Sequence, residues 1–86
     1  MTAIKVLYFA GLKEKIGHGA ETITIPFDQS WTVAMLREHL VSLGQGRDCL
    51  ATQKNLKSAV NHELAGFDSL ILPGCEVAFF PPVTGG

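Results

Sequence analysis

Apolar and polar positions alternate from Ala3 to Phe9, with Ile4, Val6 and Tyr8 on one parity and Lys5, Leu7 and Phe9 on the other. A period of two predicts a strand with one buried face, and Lys5 marks the second face as nearer to water. Leu7 and Phe9 then lie on that wetter face, where exposed apolar groups require a reason. Within Gly11 to Gly17, Leu12 and Ile16 recur four apart with charges between them, which predicts a short helical turn stopped by Gly17. Gly17-His18-Gly19 reads as a turn. Alternation resumes from Ala20 to Phe27, where Thr22, Thr24 and Pro26 oppose Ile23, Ile25 and Phe27. The β-branched residues favour strand over helix, and Pro26 ends the ladder. The two strands predict an antiparallel hairpin.

Val33, Leu36, Leu40 and Leu43 then recur at helical intervals, after Thr32 in the N-cap position and before Gly44 where a left-handed C-cap belongs. The helix Val33 to Leu43 has one stripe to bury, with His39 at its solvent edge. Gln45 to Asn55 is polar and weakly periodic, a loop with room for a helical turn, and it contains Cys49. Leu56 to Asn61 reads as a strand, Asn61-His62-Glu63 as a turn and Leu64 to Phe67 as a short segment. Leu72-Pro73-Gly74 forms a tight turn into a final strand, Cys75 to Phe80. There Val77 and Phe79 share one face, and Glu76, Ala78 and Phe80 the other. One helix with one apolar stripe must cover one face of one sheet. If the first and last strands pair in parallel through a crossover that includes the helix, the fold is α+β, a ubiquitin-like β-grasp. Its mixed sheet has about four to five strands. Residues 1–80 form the domain and 81–86 an extended tail.

Composition narrows the function classes. The chain has 86 residues and a formal charge of -1, without a run of like charge. A nucleic-acid or anionic-membrane binder needs a basic cluster, so neither partner is expected. No apolar stretch approaches the roughly 18 residues of a membrane span, and Met1-Thr2-Ala3-Ile4-Lys5 lacks the features of a signal peptide, so a cytoplasmic location is expected. Cys49 and Cys75 are too few for a disulfide framework and read as structural thiols. His18, His39 and His62 are scattered, without metal-ligand spacing, and no metal is expected. Nucleophile triads, phosphate loops and dinucleotide fingerprints are absent from the sequence. The expected chemistry is therefore done on this protein, or with part of it inserted into something larger.

The part suited to insertion is Pro81-Pro82-Val83-Thr84-Gly85-Gly86. Each proline ring fixes φ and pushes the preceding residue out of the helical region, giving a stiff stem. Two glycines leave the tip slender enough for close approach by a surrounding backbone. The run from Pro73 to Gly86, together with Val60-Asn61 and Phe67-Asp68, resembles the C-terminal half of the molybdopterin synthase small-subunit family of ubiquitin-like sulfur carriers. Lys5-Val6-Leu7-Tyr8-Phe9-Ala10, Leu12-Lys13-Glu14 and Thr32-Val33 match the same family. Cys75 departs from it, standing where an acidic residue is usual, and the stretch from Gly17 to Phe27 is longer than in some relatives.

The resemblance implies that the Gly86 carboxylate is adenylated by an ATP-dependent activating enzyme and converted by a sulfur donor into a thiocarboxylate. The sulfur is then delivered to cyclic pyranopterin monophosphate inside the large subunit. It implies a carrier without its own active site, no permanently bound cofactor, and a heterotetramer of small and large subunits. Leu7, Phe9, Leu64 and Phe80 become candidates for a shared docking patch, because small aromatic clusters anchor interfaces. The alternatives are a carrier for thiazole synthesis or RNA thiolation, which shares the Gly-Gly end, and a β-grasp interaction module or protein modifier.

Overall fold

Strand β1 (Thr2–Tyr8) runs through the interior of the sheet, antiparallel to β2 (Ala20–Ile25) on one side and parallel to β7 (Glu76–Phe80) on the other. Beyond β7 lie β4 (Lys57–Val60) and β5 (Glu63–Ala65), completing a five-stranded sheet of order β2-β1-β7-β4-β5. These features come from a computed structural model, which describes residues 2–26 and 30–82. Phe27 and the tail from Val83 to Gly86 lie outside the described residues.

The predicted parity decides which side is covered. Ile4, Val6 and Tyr8 on β1, Ile23 and Ile25 on β2, and Val77 and Phe79 on β7 all enter one core. Helix α2 (Val33–Leu43) closes that face with Val33, Leu36 and Leu40. The Thr32 side chain accepts the Met35 N–H at 3.2 Å, satisfying one of the donors that a helix start leaves unpaired. Leu43 was expected in the buried stripe but is 44% exposed, because the chain turns away at Gly44. Gly44 has φ 72° and ψ -148°, a region essentially confined to glycine, rather than the left-handed helical cap expected. His39 is half-buried and stands edge-on to the Trp31 ring at 5.8 Å.

Short elements fill the edges. Helix α1 (Gly11–Ile16) ends on Gly17 in the left-handed conformation, as its pattern predicts. The polar stretch after α2 contains helix α3 (Cys49–Thr52), which places Cys49 and Leu50 in the core; the cysteine expected in a loop is therefore helical. Strands β3 (Trp31–Thr32) and β6 (Leu70–Ile71), too short to show a period, pair as a separate antiparallel ribbon. The segment expected from Leu64 to Phe67 is instead β5, joined to β4 by Asn61 and His62, both at positive φ as a tight hairpin turn requires. Cys49 and Cys75 are free and buried, and burial pushes both thiols above their ordinary range, away from nucleophilic use.

One polar cluster crosses the core wall. Arg47 is only 6% exposed and grips Glu21 through two bonds, Nε to Oε2 at 2.9 Å and Nη2 to Oε1 at 2.7 Å. The Tyr8 hydroxyl donates to the same carboxylate, and His18 Nε2 stands 3.5 Å from it. A third Arg47 bond, from Nη1 to the Gly44 carbonyl at 2.9 Å, pins the loop that follows α2. In that loop Gly46, at φ 88°, lies so close to helix α1 that an added Cβ would meet the Lys15 carbonyl oxygen at 2.3 Å. The Arg47 bonds hold the Glu21 carboxyl near 2, well below its ordinary 4.5. A depressed acid stabilises the fold above its unfolded value, and that contribution is lost as pH falls through the folded one. Stability is therefore expected to decline from pH 4.5 towards pH 2, measured as the urea midpoint against pH; Glu21→Gln should flatten this decline.

Candidate functional site

The side of the sheet away from α2 carries no helix among the described residues, and the strand register sorts its residues into three rows. Opposed residues on neighbouring strands point to the same face, so each row can be followed strand by strand. The first is polar. Thr22 faces Lys5, Lys5 faces Glu76, and Asn61 closes on Glu76 through two hydrogen bonds. Lys5 Nζ lies 3.9 Å and His62 Nε2 3.1 Å from the Glu76 carboxylate, so the charges of this row compensate one another.

The second row is apolar from edge to edge: Ala20, Leu7, Ala78, Ala59 and Leu64 are successive cross-strand partners. Leu64 is 80% exposed. Three inter-strand spacings separate Leu7 from Leu64, about 14 Å of sheet. The two alanines between them leave a shallow trough with a leucine at each end.

The third row is aromatic. The Phe9 N–H donates to the Phe79 carbonyl at 3.2 Å, extending the parallel ladder one residue past β1 and setting Phe9 beside Phe80. Phe9 is 48% exposed and Phe80 half-buried. Lys57 on β4 is the next partner of Phe80. The chain leaves the sheet from this row, because Phe80 is followed at once by Pro81 and Pro82, both half-buried.

The four residues predicted for a docking patch therefore do share the open face. Leu7, Phe9 and Phe80 are close together on β1 and β7, whereas Leu64 stands two strands from β7, at the far end of the alanine trough. The sequence reading missed Ala78 and Ala59, which join them, and Lys57. Parity along β4 was the available signal: Lys57 and Ala59 alternate with buried Ser58, whose hydroxyl donates to the Ala65 carbonyl. Beside Lys57, at the β4–β5 edge, opens a cavity of about 370 Å³ lined by Leu56, Ser58, Leu64 and Ala65. Its walls are mostly apolar. No helix among the described residues is long and apolar enough to cross a membrane.

Residues 6–86 match the ThiS family. The molybdopterin synthase sulfur carrier subunit of Escherichia coli is 41% identical over 83 residues, covering 96% of this chain and 99% of the relative. Among solved structures, SAMP1 from Haloferax volcanii superposes with a TM-score of 0.77 at 24% identity, covering 98% of this chain and 99% of that one. A Helicobacter pylori protein–protein complex of subunits 1 and 2 of molybdopterin-converting factor contains a chain that matches with a TM-score of 0.64 at 19% identity, covering 98% of this chain and 99% of that one. At such identities the two structures speak for the fold.

Proposed function

The chain belongs to the ThiS family, and on that premise we propose that it is the sulfur-carrier subunit of a molybdopterin synthase. The observation that carries this reading is the 41% identity to such a subunit over nearly the full length of both chains. The open face adds physical support. It offers aromatic anchors at the root of a proline-stiffened tail, so a partner that covers Phe9 and Phe80 receives the tail at its own surface.

The chemistry belongs to Gly86. A carboxylate is a poor electrophile, so the activating enzyme transfers an adenylyl group from ATP to it and pyrophosphate leaves. The donor's sulfur, delivered at the sulfide level, then attacks the acyl carbon and displaces AMP. The resulting thiocarboxylate is a soft nucleophile on a slender arm made of Pro81, Pro82, Val83, Thr84, Gly85 and Gly86. Inside the large subunit its sulfur bonds to a carbon of cyclic pyranopterin monophosphate and displaces an oxygen substituent there; water then cleaves the acyl–sulfur bond, which leaves the sulfur on the pterin and returns the Gly86 carboxylate for another round. ATP is thus a reactant of the activating enzyme, and the chain itself needs no resident cofactor. The Helicobacter pylori complex of two subunits supports a large subunit as the partner.

Incubation with the activating enzyme, ATP and a sulfur source is expected to add the mass of one oxygen-to-sulfur exchange, localised by fragmentation to Gly86. An unchanged mass, under conditions that convert a known carrier, refutes the carrier reading.

A further inference from the structure

Lys57 is the charge on the open face that the fold leaves uncompensated among the described residues. Lys5 and His62 share Glu76, and Arg47 is held by Glu21, but no carboxylate of the described residues lies within ion-pair distance of Lys57. Its position makes this consequential. Lys57 is the cross-strand partner of Phe80, the residue from which the tail departs, and its other flank opens on the apolar cavity at the β4–β5 edge. Any surface that covers Phe80 closely enough to receive the tail also removes water from Lys57. An ammonium group covered without a counter-charge costs several kcal/mol, whereas one met by a carboxylate between apolar flanks gains from the lowered dielectric.

We propose that the large subunit presents a carboxylate to Lys57, and that this pair selects the partner surface and sets its register on the open face. The proposal rests on the carrier reading, which supplies the partner, and deepens it by naming the partner's chemistry. The apolar rows accept many shapes that bury Leu7, Phe9 and Phe80. A single charge in their midst rejects those with a cation or a bare apolar group at that point, because discrimination follows from what a wrong partner leaves unpaired. Lys57 is exposed and lies between Phe80 and the cavity, and a long amphipathic side chain keeps its charged head in water, so the carboxylate approaches from the rim of the tail exit.

The test is the affinity of full-length variants for the purified large subunit, beside a cross-link. Lys57→Glu is expected to weaken binding about 30-fold or more, the lower range for a broken covered charge pair, and Lys57→Arg to stay close to wild type. Carbodiimide, which joins an amine to a touching carboxylate, is expected to yield a Lys57 cross-link to an acidic residue of the large subunit, mapped by mass spectrometry. Phe80→Glu is the control for the face itself. If Phe80→Glu weakens binding while Lys57→Glu binds like wild type and Lys57 forms no cross-link, the charge-pair proposal is overturned and the docking face stands. If neither substitution changes the affinity, the face is not the docking surface, and both ideas fail. Because Lys57 is exposed and outside the core, unchanged melting temperatures are expected for its variants.

Discussion

A chain shortened to end at Gly85 is expected to lose molybdopterin formation almost completely while folding like the full chain. The truncation still presents a terminal carboxylate on a glycine, so charge and chemistry are retained. What changes is reach: one residue of extended backbone spans about 3.5 Å. A displacement of only 1 Å from the reacting geometry can cost roughly a hundredfold in rate, so product formation should fall below about 1% of the full chain's. Stability should not follow, because the core is built from side chains between Ile4 and Phe79. The measurement is product formed by the reconstituted small and large subunits with the activating enzyme, read beside a thermal melt. Activity reduced only a few-fold in the shortened chain would refute the assignment of the reacting group to Gly86.

Arg47→Met is expected to be the most destabilising polar substitution, by about 3 kcal/mol, at the lower end of what removing one member of a buried ion pair costs. The value sits at that end because the Glu21 side chain retains 15% exposure, whereas that of Arg47 is 8% exposed. Methionine keeps much of the stem's volume, so the loss reports the stranded Glu21 carboxylate and the unpaired Gly44 carbonyl rather than a void. Urea denaturation checks the magnitude, and the double variant Glu21→Leu with Arg47→Met should recover most of it. Equal instability of the double variant would mean that the pinned loop around Gly44 and Gly46, not the charge pair, supplies the stability. The acid sensitivity expected from Glu21 should be weaker in Arg47→Met, since without the guanidinium the carboxyl is no longer held so far below its ordinary range.

Long periodic segments were legible from the chain alone. The alternation around Ile4, Val6 and Tyr8, and the helical spacing of Val33, Leu36 and Leu40, each repeat often enough for one face to be assigned. Boundaries were less legible: the expected strand from Leu56 to Asn61 is Lys57–Val60, and β5 begins at Glu63. The ribbon of β3 and β6 escaped notice because two residues cannot display a period. Helix α3 shows in the sequence only as room for a turn, since its four residues lie in a polar stretch and only Cys49 and Leu50 meet the core, while Ala51 and Thr52 are exposed. The Glu21–Arg47 pair spans 26 positions, and nothing local in either segment marks it.

The candidate site divides along the same line. The expectation of an extended tail rests on local covalent properties: proline stiffens, glycine thins, and the run from Pro73 to Gly86 that resembles the family is contiguous, so that expectation needs no neighbours in space. Parity likewise assigned Leu7, Phe9 and Phe80 to an open face. Only the tertiary structure decided that Ala78 and Ala59 bridge Leu7 to Leu64, and that Lys57 stands beside Phe80 without a counter-charge among the described residues. Those facts depend on register between strands far apart in the chain. A shift of one residue would send every side chain of a strand to the opposite face, and register is set by the whole core closing at once, with Val77 and Phe79 seated beneath α2.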